Sequence, residues 1–211
     1  MKFVFKNIIY FTGSMVVFFA GVLLYGMFLG LKDISLSEAL AAKKMRYLTN
    51  VHLVIHRRGY MIDLYSDTTV VKSYHAVFGR NSSKHKTFTD DKVTPLGKYT
   101  ICRIDSVSPY QRFIKLNYPN AKDITDAYFA GLLFNREYES ANNELLNNEC
   151  PVIDRYKLSS IGIHGIGRLN LVFKNLPFVY NWTNGSVAVS NENIDELITI
   201  IKIGTEVEIK D

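Results

Sequence analysis

From Asn7 to Leu31 the chain runs 25 residues without one Asp, Glu, Lys or Arg. No other feature limits the fold as strongly. At ~1.5 Å of rise per residue, a helix of this length crosses a bilayer with some tilt. A core helix of a soluble domain is the poorer account, because such helices rarely stay apolar on every face. A cleaved signal peptide is the stronger rival, since Lys2 and Lys6 supply a basic start and Ala39-Leu40-Ala41 a small-x-small site. Signal cores, however, are typically ~7–15 residues, and the candidate cleavage site lies well past the apolar end. The reading is an uncleaved single-pass anchor over residues 7–31.

The formal net charge is +5, but residues 1–47 hold six Lys/Arg against two Asp/Glu, and the rest of the chain 19 against 18. The excess therefore flanks the apolar stretch. No basic patch is patterned to track phosphates, so nucleic acid is not an expected partner. Lys2 and Lys6 favour a cytoplasmic N-terminus, while Lys32, Lys43, Lys44 and Arg46 pull the other way. Charge alone leaves the orientation open.

Two cysteines, Cys102 and Cys150, show no metal-ligand spacing, and the five histidines form no H-x-x-x-H. No metal and no cofactor is expected. A single disulfide in an oxidising compartment and two separate core thiols both fit the sequence.

Ser35 followed by Glu38 is a capping-box pattern, opening a short helix to about Leu48. Residues 32–50 read as a helical stalk. From Val51 the apolar pattern changes to period two, giving strands at Val51–Arg57, Tyr60–Tyr65, Thr69–Val77, Tyr99–Ile104 and Phe113–Tyr118. Asn81–Val93 is a polar loop, and Thr94-Pro95-Leu96-Gly97 turns the chain back into a strand. Asp123–Cys150 reads as a helical insertion. Strand signals return at Ile161–His164, Ser186–Ser190 and Glu206–Lys210. Between the last two, Ile194, Leu197, Ile198 and Ile201 mark a helix that Ser190 or Asn191 can cap and Gly204 can close. The class is mainly β (α+β): a β-sandwich-like domain over residues 51–211 with a helical insertion and a C-terminal helix, preceded by the transmembrane helix.

Five ordered segments carry a resemblance. They are Gly79-Arg80-Asn81-Ser82-Ser83-Lys84-His85-Lys86, Thr94-Pro95-Leu96-Gly97-Lys98-Tyr99, Leu116-Asn117-Tyr118-Pro119-Asn120-Ala121-Lys122-Asp123, Ile161-Gly162-Ile163-His164-Gly165, and Trp182-Thr183-Asn184-Gly185-Ser186-Val187-Ala188-Val189-Ser190-Asn191-Glu192. Together they resemble the L,D-transpeptidase (YkuD) catalytic-domain family, and within it the YafK-like (ErfK/DpaA-type) branch. The resemblance covers nearly all of the chain outside anchor and stalk. It implies an L,D-transpeptidase-type β-sandwich in which an I-H-G histidine, here His164, faces the nucleophile of a T-x-G-C segment. Here that position is Ser186, 22 residues after His164. A second departure is Asn184, where many members of the family carry another histidine.

The resemblance implies acyl transfer or hydrolysis on peptidoglycan stem peptides, at a bond involving diaminopimelate. Catalytic roles fall to Ser186 and His164, with Gly185 and its neighbours forming an oxyanion hole. Substrate contacts fall to His85, Lys86, Gly165, Trp182 and Asn184. The expected location is a bacterial inner membrane, single-pass, with the domain facing the periplasm; a further protein partner is unidentified. Without the resemblance, His164 would read as a structural histidine at a strand end and Ser186 as a small strand residue. Phe173, Phe178, Tyr180 and Trp182 read as core and cleft wall.

The serine matters chemically. A cysteine thiol of pKa ~8.5 is drawn into the thiolate form by an adjacent imidazole. A hydroxyl stays protonated at neutral pH, so its proton must leave during attack. That needs an aligned base, usually with a third group orienting it. The expectation is an enzyme impaired at its nucleophile; the alternative is a membrane-anchored pseudoenzyme that binds peptidoglycan or a partner as a scaffold or regulator.

Overall fold

The structure is a computed structural model that describes residues 2–30, 34–82, 86, 91–147, 149–151, 153 and 161–211. Eight strands form it: β1 (Val51–His56), β2 (Met61–Ser66), β3 (Thr69–His75), β4 (Gly97–Ser108), β5 (Gln111–Leu116), β6 (Gly162–Gly165), β7 (Val187–Val189) and β8 (Glu206–Lys210). They make one sheet in the order β3-β2-β1-β8-β4-β5-β6-β7. Pairing is antiparallel except for β1–β8 and β6–β7.

β4 divides the sheet. Its first residues, Gly97–Thr100, pair with β8, and from Ile101 it pairs with β5. The register slips twice along the second pairing, and such bulges bend and twist a strand. The bend brings the two ends together. Residues after β3 leave one edge and run beside the other, where Val77 and Ala188 exchange both backbone hydrogen bonds and Gly79 bridges Thr183. The outer side of β7 is thus paired rather than left open to another chain.

The enclosed core takes Leu53 and Ile55 from β1, Ile62 and Leu64 from β2, Ile101 from β4, Ile114 and Leu116 from β5, Ile163 from β6, Val187 and Val189 from β7, and Val207 and Ile209 from β8. The α+β class matches the expectation from sequence.

Among the described residues, six α-helices accompany the sheet. α1 (Lys2–Gly30) contains a candidate membrane span, Phe3–Leu29, with mean hydropathy 2.0 and its apolar window unburied. That disposes of the core-helix reading and leaves a membrane span or a signal sequence. α2 (Leu36–Ala42) begins at the expected Ser35–Glu38 capping box. It is docked on the domain. Ala39 is buried, Leu36 and Leu40 pack on the core, and the Leu36 amide donates to Glu196 at 2.9 Å. Lys72 pairs with the same carboxylate.

The insertion is two helices, α3 (Ala121–Phe129) and α4 (Asn135–Leu146), broken at Gly131 with φ +72°. They enclose a small core of Ile124, Leu133, Ala141 and Ile153. Cys150, at the end of this insertion, is disulfide-bonded to Cys102 on β4. After β6 come a 3-10 turn (Gly167–Leu169) and α5 (Asn170–Phe173). α6 (Asn191–Leu197) is capped by Ser190, whose hydroxyl accepts from the Asn193 amide. It ends earlier than the apolar period suggests, because Ile198–Ile201 complete their burial in turns.

Candidate active site

β6 and β7 are short because the chain needs them only to set one register. Ile163 pairs with Val187 and His164 with Ala188, so Ser186 stands at the level of Gly162. Alternation sends Ile163, Val187 and Val189 to the core and leaves His164 and Ser186 on the other face. Neighbouring strands ~4.8 Å apart, with an offset of two residues, separate the two Cα atoms by about 8 Å. Gly162 lets β6 lie close against β5: a Cβ there would meet the Ile114 carbonyl oxygen at 2.3 Å and the Phe113 ring at 2.7 Å. Its amide donates to Ser186 Oγ at 3.3 Å, and Ser186 is only half-buried.

His164 is held on every side. Its ring stacks on Phe113 with centroids 5.9 Å apart, lies 4.6 Å from Tyr110, and meets Trp182 edge-on at 5.7 Å. Nδ1 lies 2.6 Å from the Gly165 carbonyl oxygen. A carbonyl only accepts, so Nδ1 carries the proton and Nε2 keeps the lone pair. Burial holds the imidazole below its ordinary pKa of 6.5, and the Gly165 bond offsets part of that. The ring is therefore neutral at pH 7, in the tautomer a general base needs. Among the described residues, no carboxylate reaches Nδ1 and no hydrogen bond joins the imidazole to Ser186 Oγ.

The turn before the serine is fixed by one hydroxyl. Thr183 Oγ1 donates to the Ser186 carbonyl at 2.6 Å and accepts from the Gly185 amide at 3.2 Å. Gly185 has φ +118°, and a Cβ on it would meet the Val93 carbonyl oxygen at 2.7 Å. Of the amides around Gly185 and Ser186 expected to form an oxyanion hole, that of Gly185 is bonded to Thr183 Oγ1. Gly185 serves the site through its conformation.

Lys86 comes in from the other side. Its Nζ lies 3.5 Å from where a Gly185 Cβ would be, with its side chain only 2% exposed. Asp91 accepts from it at 2.6 Å and from the Val93 amide at 2.9 Å.

Of the residues picked from sequence, the fold gathers Ser186, His164, Gly185, Gly165, Trp182 and Lys86 around the β6–β7 pair. Gly165 has no room for a side chain, since a Cβ would meet the Tyr110 carbonyl oxygen at 2.6 Å and Asn191 Oδ1 at 2.8 Å. Asn184 is exposed on the turn. His85 lies outside the described residues. Sequence reasoning missed Tyr110 and Phe113, the walls of the imidazole pocket; Thr183 and Asp91, which fix the turn and the lysine; and Asn191. The Asn191 side chain accepts from the Gly167 amide at 2.8 Å and donates to its carbonyl at 3.0 Å, pinning the chain just after Gly165. Only Thr183 and Asn191 carried a signal, as members of the matched Trp182–Glu192 segment. Among the described residues, no group of three or more His, Cys, Asp or Glu is placed to hold a metal.

Comparison with known proteins adds the following. Residues 50–209 match the YkuD family, described as the L,D-transpeptidase catalytic domain. No curated protein matches the chain. Similar solved structures include an L,D-transpeptidase (residues 123–326) from Xylanimonas cellulosilytica, at 16% identity and TM-score 0.43, over 78% of this chain and 62% of that one. Bd1075 from Bdellovibrio bacteriovorus is 18% identical with TM-score 0.47, over 78% of this chain and 49% of its own. The helical cell shape determining protein Pgp2 from Campylobacter jejuni is 13% identical with TM-score 0.45, over 84% and 55%. This chain thus spans less than two thirds of each of these relatives. The family match takes in the two paired strands, the glycine turn and the histidine, and on it this chain belongs to the L,D-transpeptidase catalytic-domain (YkuD) family.

Proposed function

We propose that the chain is a YafK-like member of this family that works outside the cytoplasm of a bacterium, tethered by α1 to the inner membrane, on peptidoglycan stem peptides. Ser186 is the proposed nucleophile and the reaction is slow. One observation carries this reading: His164 and Ser186 share a face of two adjacent parallel strands, with the imidazole already in its base tautomer.

In the proposed reaction Ser186 Oγ attacks a peptide carbonyl at a diaminopimelate-containing bond. His164 Nε2 takes the hydroxyl proton and returns it to the departing amine. An incoming amine or water then releases the acyl group from the serine. The Gly165 carbonyl, a neutral acceptor, stands where a serine hydrolase normally has a carboxylate, so the imidazolium formed during attack is stabilised less. Burial raises the cost of that cation further. A thiolate would need neither help, which is why oxygen at this position slows the reaction. Lys86, proposed as a substrate contact, lies beside Gly185 with its charge already paired to Asp91.

The Cys102–Cys150 disulfide supports placement in the periplasm, since such bonds persist in oxidising compartments. The basic N-terminal end of α1, carrying Lys2 and Lys6, then lies in the cytoplasm. A second reading draws on the missing His164–Ser186 hydrogen bond: a pseudoenzyme that binds the same peptide, or a partner, without turnover.

The test compares the native chain with Ser186→Cys and Ser186→Ala, each incubated with stem tetrapeptide or a carbapenem and then weighed by intact-mass spectrometry. The expected result is a fast, stoichiometric adduct on Ser186→Cys, slow turnover by the native chain, and neither on Ser186→Ala. Adduct on the cysteine form with no native turnover selects the pseudoenzyme. No adduct on any form removes the site itself.

A further inference from the structure

One face of α1, near its C-terminal end, touches the domain at Gly26. Gly26 is buried, and a Cβ on it would fall 1.7 Å from the Asn175 carbonyl oxygen, so only glycine lets the helix backbone pack there. Val22 and Leu23, one turn earlier, are half-buried. Around Asn175 the chain exposes a dense apolar run. Leu169, Leu171 and Val172 precede it and Phe178, Val179 and Tyr180 follow, each at least 41% exposed. Single exposed apolar residues are ordinary, but six within twelve positions form a patch that calls for an occupant.

Depth along α1 identifies the occupant. A hydrocarbon core ~30 Å thick takes about 20 helical residues. Counted from the residue after Lys6, the last charge before the apolar run, such a length ends at Gly26. Whatever packs on Gly26 therefore sits where acyl chains give way to headgroups. Arg168 flanks the apolar run with an exposed basic side chain, Lys174 within it pairs with Glu192, and Tyr180 adds an amphipathic ring. That mixture suits a segment lying in the interface of an anionic leaflet.

We propose that residues 169–180 form a membrane-docking ridge, and that its occupant is the leaflet from which α1 emerges. The proposal rests on α1 being a membrane span. Trp182 follows the ridge by two residues and walls the His164 ring, so docking sets the candidate site down at the bilayer surface. Its substrates are then stem peptides held close to that surface, rather than peptides in the outer wall layers.

The test uses the full chain with its single tryptophan removed (Trp182→Phe), reconstituted in phosphatidylethanolamine–phosphatidylglycerol bilayers with acyl chains brominated near the headgroup. Tryptophan is then placed singly at Leu171, Phe178, Val17 in mid-helix, or Ile203. Ile203 is 59% exposed and adjoins the Gly204 turn that bonds Ile101, roughly 20 Å along β4 from the β4–β5 hairpin. The expected result is bromine quenching at Leu171→Trp and Phe178→Trp several-fold stronger than at Ile203→Trp. Quenching at Val17→Trp, with both ridge probes no stronger than Ile203→Trp, overturns the ridge and keeps the span. No quenching at Val17→Trp removes the span, and the ridge with it.

Discussion

β2 and β6 are built to different rules. In β2, Ile62, Leu64 and Ser66 are buried while Met61, Asp63 and Tyr65 are half-buried, the alternation of a strand with one face on a core. In β6 all four residues are buried, two of them are glycines, and the only side chains are Ile163 in the core and His164 in a ring of aromatics. The first strand obtains its stability from apolar area. The second gives up side chains so that backbones approach closely and one imidazole is gripped. A scaffold strand therefore tolerates loss of function-neutral volume, whereas a site strand tolerates almost no added atom.

Substitutions can break that contrast, with Ser186→Cys as background so that acyl capture is the readout. The largest expected effect on stability is Leu64→Ala in the scaffold. Leu64 is fully buried, and such truncations cost about 3 kcal/mol. Urea denaturation should show that loss, while capture per folded molecule stays unchanged. Lost capture at full folding would mean that the two regions are not separable.

Next is Gly185→Ala. Its φ of +118° and the Val93 carbonyl at 2.7 Å leave the methyl group no relaxed position. We expect about 2 kcal/mol of destabilisation, together with capture slowed far more than Leu64→Ala slows it. Equal rates for the two variants would break the comparison from the other side.

Asn191→Ala is smaller. It removes two hydrogen bonds to Gly167, of about 1 kcal/mol each, and loosens the chain directly after Gly165. Capture should fall, with recovery in Asn191→Asp limited to the accepting bond.

The smallest effect is a pH dependence. The folded-state pKa of His164 lies below 6.5, so the unfolded chain binds its proton first as pH drops. The stability contributed by neutral His164 is present above the unfolded value and is lost as pH falls from about 6.5 toward the folded value. Urea titrations of the native chain and His164→Gln should differ in slope across that window and run parallel above it. Parallel curves throughout would show that burial does not hold the imidazole neutral.

The same contrast explains what was readable in advance. β1, β2 and β3 announce themselves by alternation over six or seven residues. β6 and β7, with four and three residues buried throughout, have no period to read. Short apolar runs at Ile161–His164 and Ser186–Ser190 still mark them as strands, but their role is legible only because Ile163-His164-Gly165 and Thr183-Asn184-Gly185-Ser186 resemble a known pair of segments. Asp91 stayed hidden because a charged residue in a polar loop reads as solvent-exposed, and only the fold turns it onto Lys86. The docking of α2 was illegible for a different reason: its partner Glu196 is 160 residues away. Cys102 and Cys150 left pairing open because their separation of 48 residues says nothing about Cα distance, which the fold sets at 5.4 Å.

The docked α2 has a consequence for reach. Were residues 32–50 a free stalk, the domain would swing on a tether nearly twenty residues long. With α2 clamped through Glu196, four residues of sequence separate the end of α1 from the Ser35 cap, enough for at most roughly 14 Å at full extension. If α1 spans a bilayer as proposed, the domain is confined to a thin shell beside it rather than free in a volume. Inserting residues between α1 and α2, not altering the pocket, is the change that would let the domain reach further from that surface.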